Sequence, residues 1–185
     1  MIKIIDNCCS PVYLDLLKKI ASSSDNWHLR YPMGEDVSIE DKHLKLDIFH
    51  NEANQPFLAG LVLGLLVQIY DAGGRDFFRL EPIHYCGISI KDKHTPFNSH
   101  YDYEKDAGFV KILGIINSDW EEEWGGGFFH NGTSNYIKPT SFCIFDPSEH
   151  HAAEEIFTDK KRFAIDFTVF RDMQSLEKVG GIGNK

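Results

Sequence analysis

The sequence predicts an α+β chain, mainly β, in which helices come first and strands follow and close on themselves. Three observations carry this. Before Phe77, the apolar residues of two segments recur at spacings of three and four; from Phe77 onward they fall into short runs separated by turn residues. In the last run, Arg162 to Phe170, strict alternation sets Phe163, Ile165, Phe167 and Val169 on one face and Arg162, Ala164, Asp166 and Thr168 on the other. Helices followed by strands indicate α+β.

The first helix starts at Ser10-Pro11, an N-cap followed by a proline at the first helical position. It presents Val12, Leu16, Leu17 and Ile20 before the Ser22-Ser23-Ser24 loop. A second helix over Pro56 to Tyr70 has a broader apolar face and stops at Gly73-Gly74. Both are expected to back a sheet. Strands are expected at Phe78 to Ser89, Phe109 to Asn117, Gly127 to His130, Ser141 to Phe145 and Arg162 to Phe170. The apolar face of the last strand should pack on the helices, and its polar face should look into a barrel. The chain divides into helical support over 1–76, a β core over 77–170 and a polar tail over 171–185, with Gly180 to Lys185 loose.

With 185 residues the chain forms one domain with a core large enough to need no staples. The net charge of −9, without a Lys/Arg cluster, argues against nucleic acid as the main partner. Cys8, Cys9, Cys86 and Cys143 have neither zinc-ligand spacing nor the density of a disulfide framework, which fits free thiols in a reducing cytosol. Met1 to Ser10 lacks signal-type character, and the longest apolar run, Phe57 to Tyr70, is broken by Gly60, Gly64 and Gln68. The expectation is therefore a cytoplasmic protein with no membrane partner.

The chemistry-bearing residues come in one order. His100-Tyr101-Asp102 is the one H-x-D triplet in the chain, His151 follows about fifty residues later, and Arg162 heads the alternating strand. On a regular strand His100 and Asp102 project from one face and can hold one ion. Past the strand ending at Phe145, adjacent His150 and His151 should point in opposite directions, and His151 is the favoured third ligand. Two imidazoles and a carboxylate suit a ferrous ion, Fe(II), leaving three positions open for a bidentate 2-oxo acid and O2. The two-pronged guanidinium of Arg162 suits the distal carboxylate of 2-oxoglutarate, with Lys160 or Lys161 as substitutes and Tyr85 as a hydroxyl donor. His28, His43, His94 and His130 are better explained as surface or satisfied core residues. His50 and Glu52 form an H-x-E pair without a later partner, and Glu121-Glu122-Glu123 is a solvated acidic loop.

These residues make the sequence resemble the prolyl 4-hydroxylase-type branch of the iron(II)/2-oxoglutarate-dependent dioxygenases over roughly Pro82 to Phe170, with short bacterial and phage-encoded relatives. Tyr85-Cys86-Gly87 is similar to the Tyr-x-Gly stretch before the first ligand, and Ile116-Asn117-Ser118-Asp119-Trp120 to the family's Leu-Asn-x-x-Trp segment. The Trp124-Gly125-Gly126-Gly127 turn and the approach from Phe145-Asp146 to the third ligand also fit. The resemblance implies a double-stranded β-helix (jelly-roll) core with the metal at one mouth. It implies hydroxylation of a C–H bond, coupled to decarboxylation of 2-oxoglutarate to succinate and carbon dioxide and supported by ascorbate. The implied substrate is a prolyl residue in a peptide or protein. The chain departs from its relatives at Gly114-Ile115, where several carry a tyrosine near the co-substrate, and at Thr168, where the oxygen-sensing type carries a tryptophan. His151 and Arg162 are eleven positions apart, slightly more than usual.

Two other readings fit the same residues: a hydroxylase of a free amino acid or other small molecule, and a non-catalytic cupin-like metal- or sugar-binding module. Tyr31 to His50 and Ile90 to Ser99 are expected to flank the metal mouth as a lid or groove.

Overall fold

A computed structural model describes residues 2–30, 43–50 and 53–180. Its helices are α1 (Pro11–Ser22), α2 (Pro56–Ala72) and α3 (Met173–Gly180). The strands are β1 (Lys3–Ile5), β2 (His28–Arg30), β3 (His43–His50), β4 (Ile83–Lys91), β5 (Phe109–Ile115), β6 (Phe128–His130), β7 (Thr133–Asn135), β8 (Phe142–Phe145), β9 (His151–Ala153) and β10 (Arg162–Phe170). Seven strands form one sheet in the order β1-β8-β5-β10-β4-β3-β2, and three form a second in the order β7-β6-β9. Every pairing within them is antiparallel. The class is α+β, mainly β, and the two sheets make a jelly roll.

Both expected helices form, for the expected local reasons. The Ser10 hydroxyl accepts from the Tyr13 amide at 3.2 Å, and Pro11 opens α1. α2 buries Leu58, Val62, Leu65, Leu66 and Ile69 and ends at Gly73, whose φ of 147° no side-chain-bearing residue adopts easily. Leu14 and Leu17 of α1 join these residues against Phe163, Ile165, Phe167 and Val169 of β10, all in one core. Each fully buried aliphatic side chain there contributes about 1.5–3 kcal/mol, so this contact fixes which face of β10 meets the helices. The other face, with Arg162, Ala164, Asp166 and Thr168, lines a cavity between the two sheets. Alternation in β10 thus places the site.

Several expectations need correction. The first 76 residues supply β1, β2 and β3 to the large sheet as well as the two helices. The strand expected from Phe78 begins at Ile83 and runs to Lys91. Residues 43–50, read as part of a rim segment, form β3, paired with β4; 31–42 lie outside the described residues. In the tail, Asp172 accepts from the Ser175 amide at 2.8 Å, and α3 follows from Met173. Residues 181–185 also lie outside the described part. Cys86 and Cys143 are buried, and all four cysteines are free thiols. Among the described residues, no helix is long and apolar enough to cross a membrane.

Candidate metal and co-substrate site

His100, Asp102 and His151 converge, with one ligand atom from each lying within 4.8 Å of the others. They do so without the regular strand expected for His100 and Asp102. His100 forms a single bridge with His151, its amide donating to the His151 carbonyl at 3.0 Å and its carbonyl accepting from the His151 amide at 2.8 Å. Asp102 follows on a bend, anchored by its amide to the Pro147 carbonyl at 2.8 Å. Backbone pairing to the segment Pro147 to His151 therefore holds the H-x-D element. That segment brings His151 inward, buried at the start of β9, and leaves His150 exposed against Tyr101.

Both imidazoles are oriented for coordination. Nδ1 of His100 lies 3.0 Å from the Asn98 carbonyl, and Nδ1 of His151 lies 2.8 Å from that of Glu149. A carbonyl only accepts, so each Nδ1 carries the proton and each Nε2 keeps its lone pair. Those Nε2 atoms lie 3.6 Å and 3.2 Å from the two Asp102 oxygens. Burial pulls the His100 imidazole below its ordinary value, although Asn98 and Asp102 act the other way. For Asp102, burial pushes the carboxyl up, but Lys111 and His151 reverse this and hold it ionised, well below the usual carboxylate range.

Arg162 lies in the same cavity, 2% exposed, with Nε and Nη2 making no hydrogen bond. Leaving such donors buried and unpaired costs about 1–3 kcal/mol, so the position is one that a ligand would complete. Residues of the Asn-x-x-Trp segment and the glycine turn hold it. The Asn117 side chain brackets Arg162, accepting from the Phe163 amide at 2.6 Å and donating to the Lys161 carbonyl at 3.0 Å. Trp120 Nε1 donates to the Gly125 carbonyl at 2.9 Å, and Gly126 then passes so close that a Cβ there would sit 2.8 Å from Arg162 Cδ. With its φ of 70°, Gly126 satisfies both the turn and the close approach.

The other expected cations and the hydroxyl donor do not join Arg162. Lys160 turns outward, over the Trp124 ring at 3.4 Å and toward Asp119, and Lys161 is exposed. Tyr85 donates to Asp47 Oδ1 at 2.6 Å. It pairs with Thr168, whereas Arg162 pairs with Lys91. Six residues of strand, roughly 20 Å at ~3.3 Å per residue, separate those levels, so Tyr85 lines the opposite end of the cavity from Arg162. His130 is buried with Nε2 2.9 Å from Glu149 Oε2, a satisfied core histidine. His43 and His50 line the cavity, His28 lies 3.5 Å from Asp47, and Glu52 is outside the described residues.

Sequence reasoning missed a buried ionic network. Lys45 Nζ contacts Asp166 Oδ1 at 2.6 Å; Lys111 Nζ lies 3.4 Å from Asp166 Oδ2 and 2.5 Å from Asp102 Oδ2. Burial alone would raise the Asp166 carboxyl, but Lys45 and Lys111 hold it down and ionised. Lys111 thereby fixes one oxygen of Asp102. The available signal was a charge at an inward position of an apolar strand, as in Phe109-Val110-Lys111-Ile112-Leu113.

The cavity has a volume of about 340 Å3 and an apolar wall that includes Leu113, Phe128 and Phe145. Asn98, Pro96 and Thr95 line it together with His100, so part of Ile90 to Ser99 lies against the cavity. Exposed Phe97 and Tyr101 stand on the same stretch, Phe97 edge-on to Phe129.

No family model and no curated protein matches the sequence. Solved structures do match the fold. A prolyl-4-hydroxylase of Pseudomonas putida shares 13% identity and a TM-score of 0.61 over 92% of each chain. A prolyl hydroxylase of Trichoplax adhaerens, in complex with a hypoxia inducible factor oxygen degradation domain peptide fragment, shares 17% identity with a TM-score of 0.63, over 100% of this chain and 87% of the other. HygX of Streptomyces hygroscopicus, with nickel and 2-oxoglutarate bound, shares 10% identity with a TM-score of 0.65, over 93% and 83%. The chain has the fold of 2-oxoglutarate–Fe(II) oxygenases, one that serves several substrates.

Proposed function

We propose that the chain is an Fe(II)/2-oxoglutarate-dependent dioxygenase that hydroxylates an unactivated C–H bond, with a prolyl residue of a peptide or protein as substrate. One observation carries the reading: a buried arginine with two unpaired donors shares a cavity with two histidines and an aspartate whose free donor atoms converge. In the protein's own residues, His100, Asp102 and His151 fit a divalent ion, and Arg162 fits the distal carboxylate of a 2-oxo diacid. The bound iron would supply oxygen activation, so that 2-oxoglutarate, O2 and R–H yield succinate, carbon dioxide and R–OH. Lys111 holds Asp102 in place, and Leu113, Phe128 and Phe145 keep bulk water from the co-substrate.

The polypeptide substrate is supported by the rim. Thr95 to Asn98 leads into His100 at the cavity mouth, and exposed Phe97 and Tyr101 give apolar faces beside it on which a pyrrolidine ring can pack. The Trichoplax neighbour binds a peptide on the same fold. A small-molecule substrate is the second reading, favoured by the modest volume of the cavity and by HygX, also solved with hygromycin B bound.

The test is conversion of 2-oxoglutarate to succinate with iron and ascorbate, in the presence of a proline-containing peptide library or of free proline. The expected result is peptide-stimulated succinate with a matching mass increase of one oxygen on proline. Stimulation by free proline alone would move the substrate to the small-molecule class. Absence of succinate under every condition would leave a non-catalytic, cupin-like binding module.

A further inference from the structure

We propose that Lys91 is a second cation of the co-substrate subsite, so that Lys91 on β4 and Arg162 on β10 grip one distal carboxylate from adjacent strands; this rests on the reading of the site given above. Arg162 and Lys91 are direct cross-strand partners, and both line the cavity. Residues directly opposed in an antiparallel pair project from the same face with Cβ atoms about 4.5–5.5 Å apart, and like charges so placed repel.

The other cavity lysines show what a cavity-lining cation in this protein normally has. Lys45 is neutralised by Asp166, and Lys111 by Asp102 and Asp166. Among the described residues, Lys91 has no acid within ion-pair distance, and Arg162 leaves Nε and Nη2 unpaired. Acids are not scarce, since the chain carries 28 Asp and Glu against 19 Lys and Arg. Two unneutralised cations side by side in a chain of net charge −9 form a built receptor for an anion. Burial and the neighbouring guanidinium pull the Lys91 ammonium down to about 8, the direction expected for a cation awaiting its counter-charge.

The two side chains divide the work by their shapes. The planar Arg162 fork aligns with the plane of the carboxylate, while the Lys91 ammonium adds a point charge from the neighbouring strand. The consequence is selectivity: a 2-oxo acid that lacks the distal carboxylate leaves both cations unpaired, whereas 2-oxoglutarate neutralises them together.

The test uses the full chain loaded with Mn2+, a redox-inactive stand-in for iron. Calorimetric titration would compare 2-oxoglutarate with 2-oxopentanoate, which has the same chain length and no distal carboxylate. Lys91→Met should weaken 2-oxoglutarate binding about tenfold to a hundredfold and leave 2-oxopentanoate unchanged, and Lys91→Arg should restore most of the loss. In the absence of ligand, Lys91→Met should melt at a higher temperature than the wild type, because a repelled charge is gone; a merely structural lysine would give the opposite shift. A wild type that prefers 2-oxoglutarate, with the same preference in Lys91→Met, would overturn the role of Lys91 alone. A wild type with no such preference would overturn the co-substrate reading, and this inference with it.

Discussion

Replacing Arg162 by methionine should stabilise the ligand-free protein and sharply weaken its response to 2-oxoglutarate. The guanidinium is 2% exposed with two unpaired donors, and burial brings it down to about 10 from an ordinary 12.5. At ~1.4 kcal/mol for each factor of ten, that gap corresponds to about 3 kcal/mol of unfavourable charge burial. Methionine fills most of the volume but loses some packing against Gly126, which costs about 1 kcal/mol. The net gain of about 1–2 kcal/mol should raise Tm by about 2–8 °C for a chain of this size. In wild type, 2-oxoglutarate at a hundred times its Kd should add about 2.7 kcal/mol; in the variant, with binding weakened about a hundredfold, the same concentration should add less than about 0.5 kcal/mol. Thermal melts of the Mn2+-loaded protein, with and without 2-oxoglutarate, measure both effects. A drop of several degrees in the ligand-free variant, or a ligand shift as large as in the wild type, would refute the reasoning.

Four further outcomes are expected. His151→Ala should lose about a hundredfold or more in divalent-metal affinity, whereas His150→Ala should stay within about twofold; calorimetric metal titration separates them, and the reverse pattern would exchange their roles. Asn117→Ala removes both hydrogen bonds that bracket Arg162 and leaves the Phe163 amide unpaired, so chemical denaturation should show a loss of about 2–3 kcal/mol. Gly126→Ala forces a side chain into a φ of 70° and against Arg162, so 2-oxoglutarate binding should weaken at unchanged metal affinity, as read by titrating each ligand. The last concerns pH. Because the folded Lys91 loses its proton near pH 8 and the unfolded one near 10.5, the folded state carries the cost of a partly buried cation beside Arg162 below about pH 8. Stability from this group therefore rises with pH between those values. Groups facing it are His43 and Lys45 on β3, Arg162 and Asp166 on β10 and Lys111 on β5. The stability difference between Lys91→Met and wild type, from denaturation at each pH, should shrink from pH 8 to 10.5.

What was legible in the sequence followed from local chemistry. Ser10-Pro11 starts a helix wherever it occurs before an amphipathic run, and nine alternating residues of β10 define an inside and an outside without knowledge of the neighbours. The candidate ligands were legible as spacing, but the physical basis assumed for the first two was wrong. His100 and Asp102 meet through backbone bonds to His151 and Pro147, contacts made across about fifty residues, which no local period reports. The three-residue strands β1, β2, β7 and β9 escaped for the same reason, since their order comes from pairing rather than from propensity. β3 was hidden because Lys45 and Asp47 interrupt its apolar residues and suggested a charged rim. Those charges are the informative part: Lys45, Lys91, Lys111 and Asp166 each occupy a cavity-facing strand position, where a charge is tolerated only with a partner or a ligand.

The central claim is an open metal site on His100, Asp102 and His151 that is completed by a 2-oxo diacid held at Arg162. Water-proton relaxation with Mn2+ tests it most directly, because relaxivity counts the water molecules that remain on the bound ion. Wild type should bind one Mn2+ per chain with high relaxivity, and addition of 2-oxoglutarate should lower that relaxivity as the 2-oxo acid displaces coordinated water. Asp102→Ala should lose the ion, and Arg162→Met should keep the ion but need far more 2-oxoglutarate for the same fall. Saturable Mn2+ binding that persists in Asp102→Ala, or a wild-type relaxivity that 2-oxoglutarate does not change, would contradict the account.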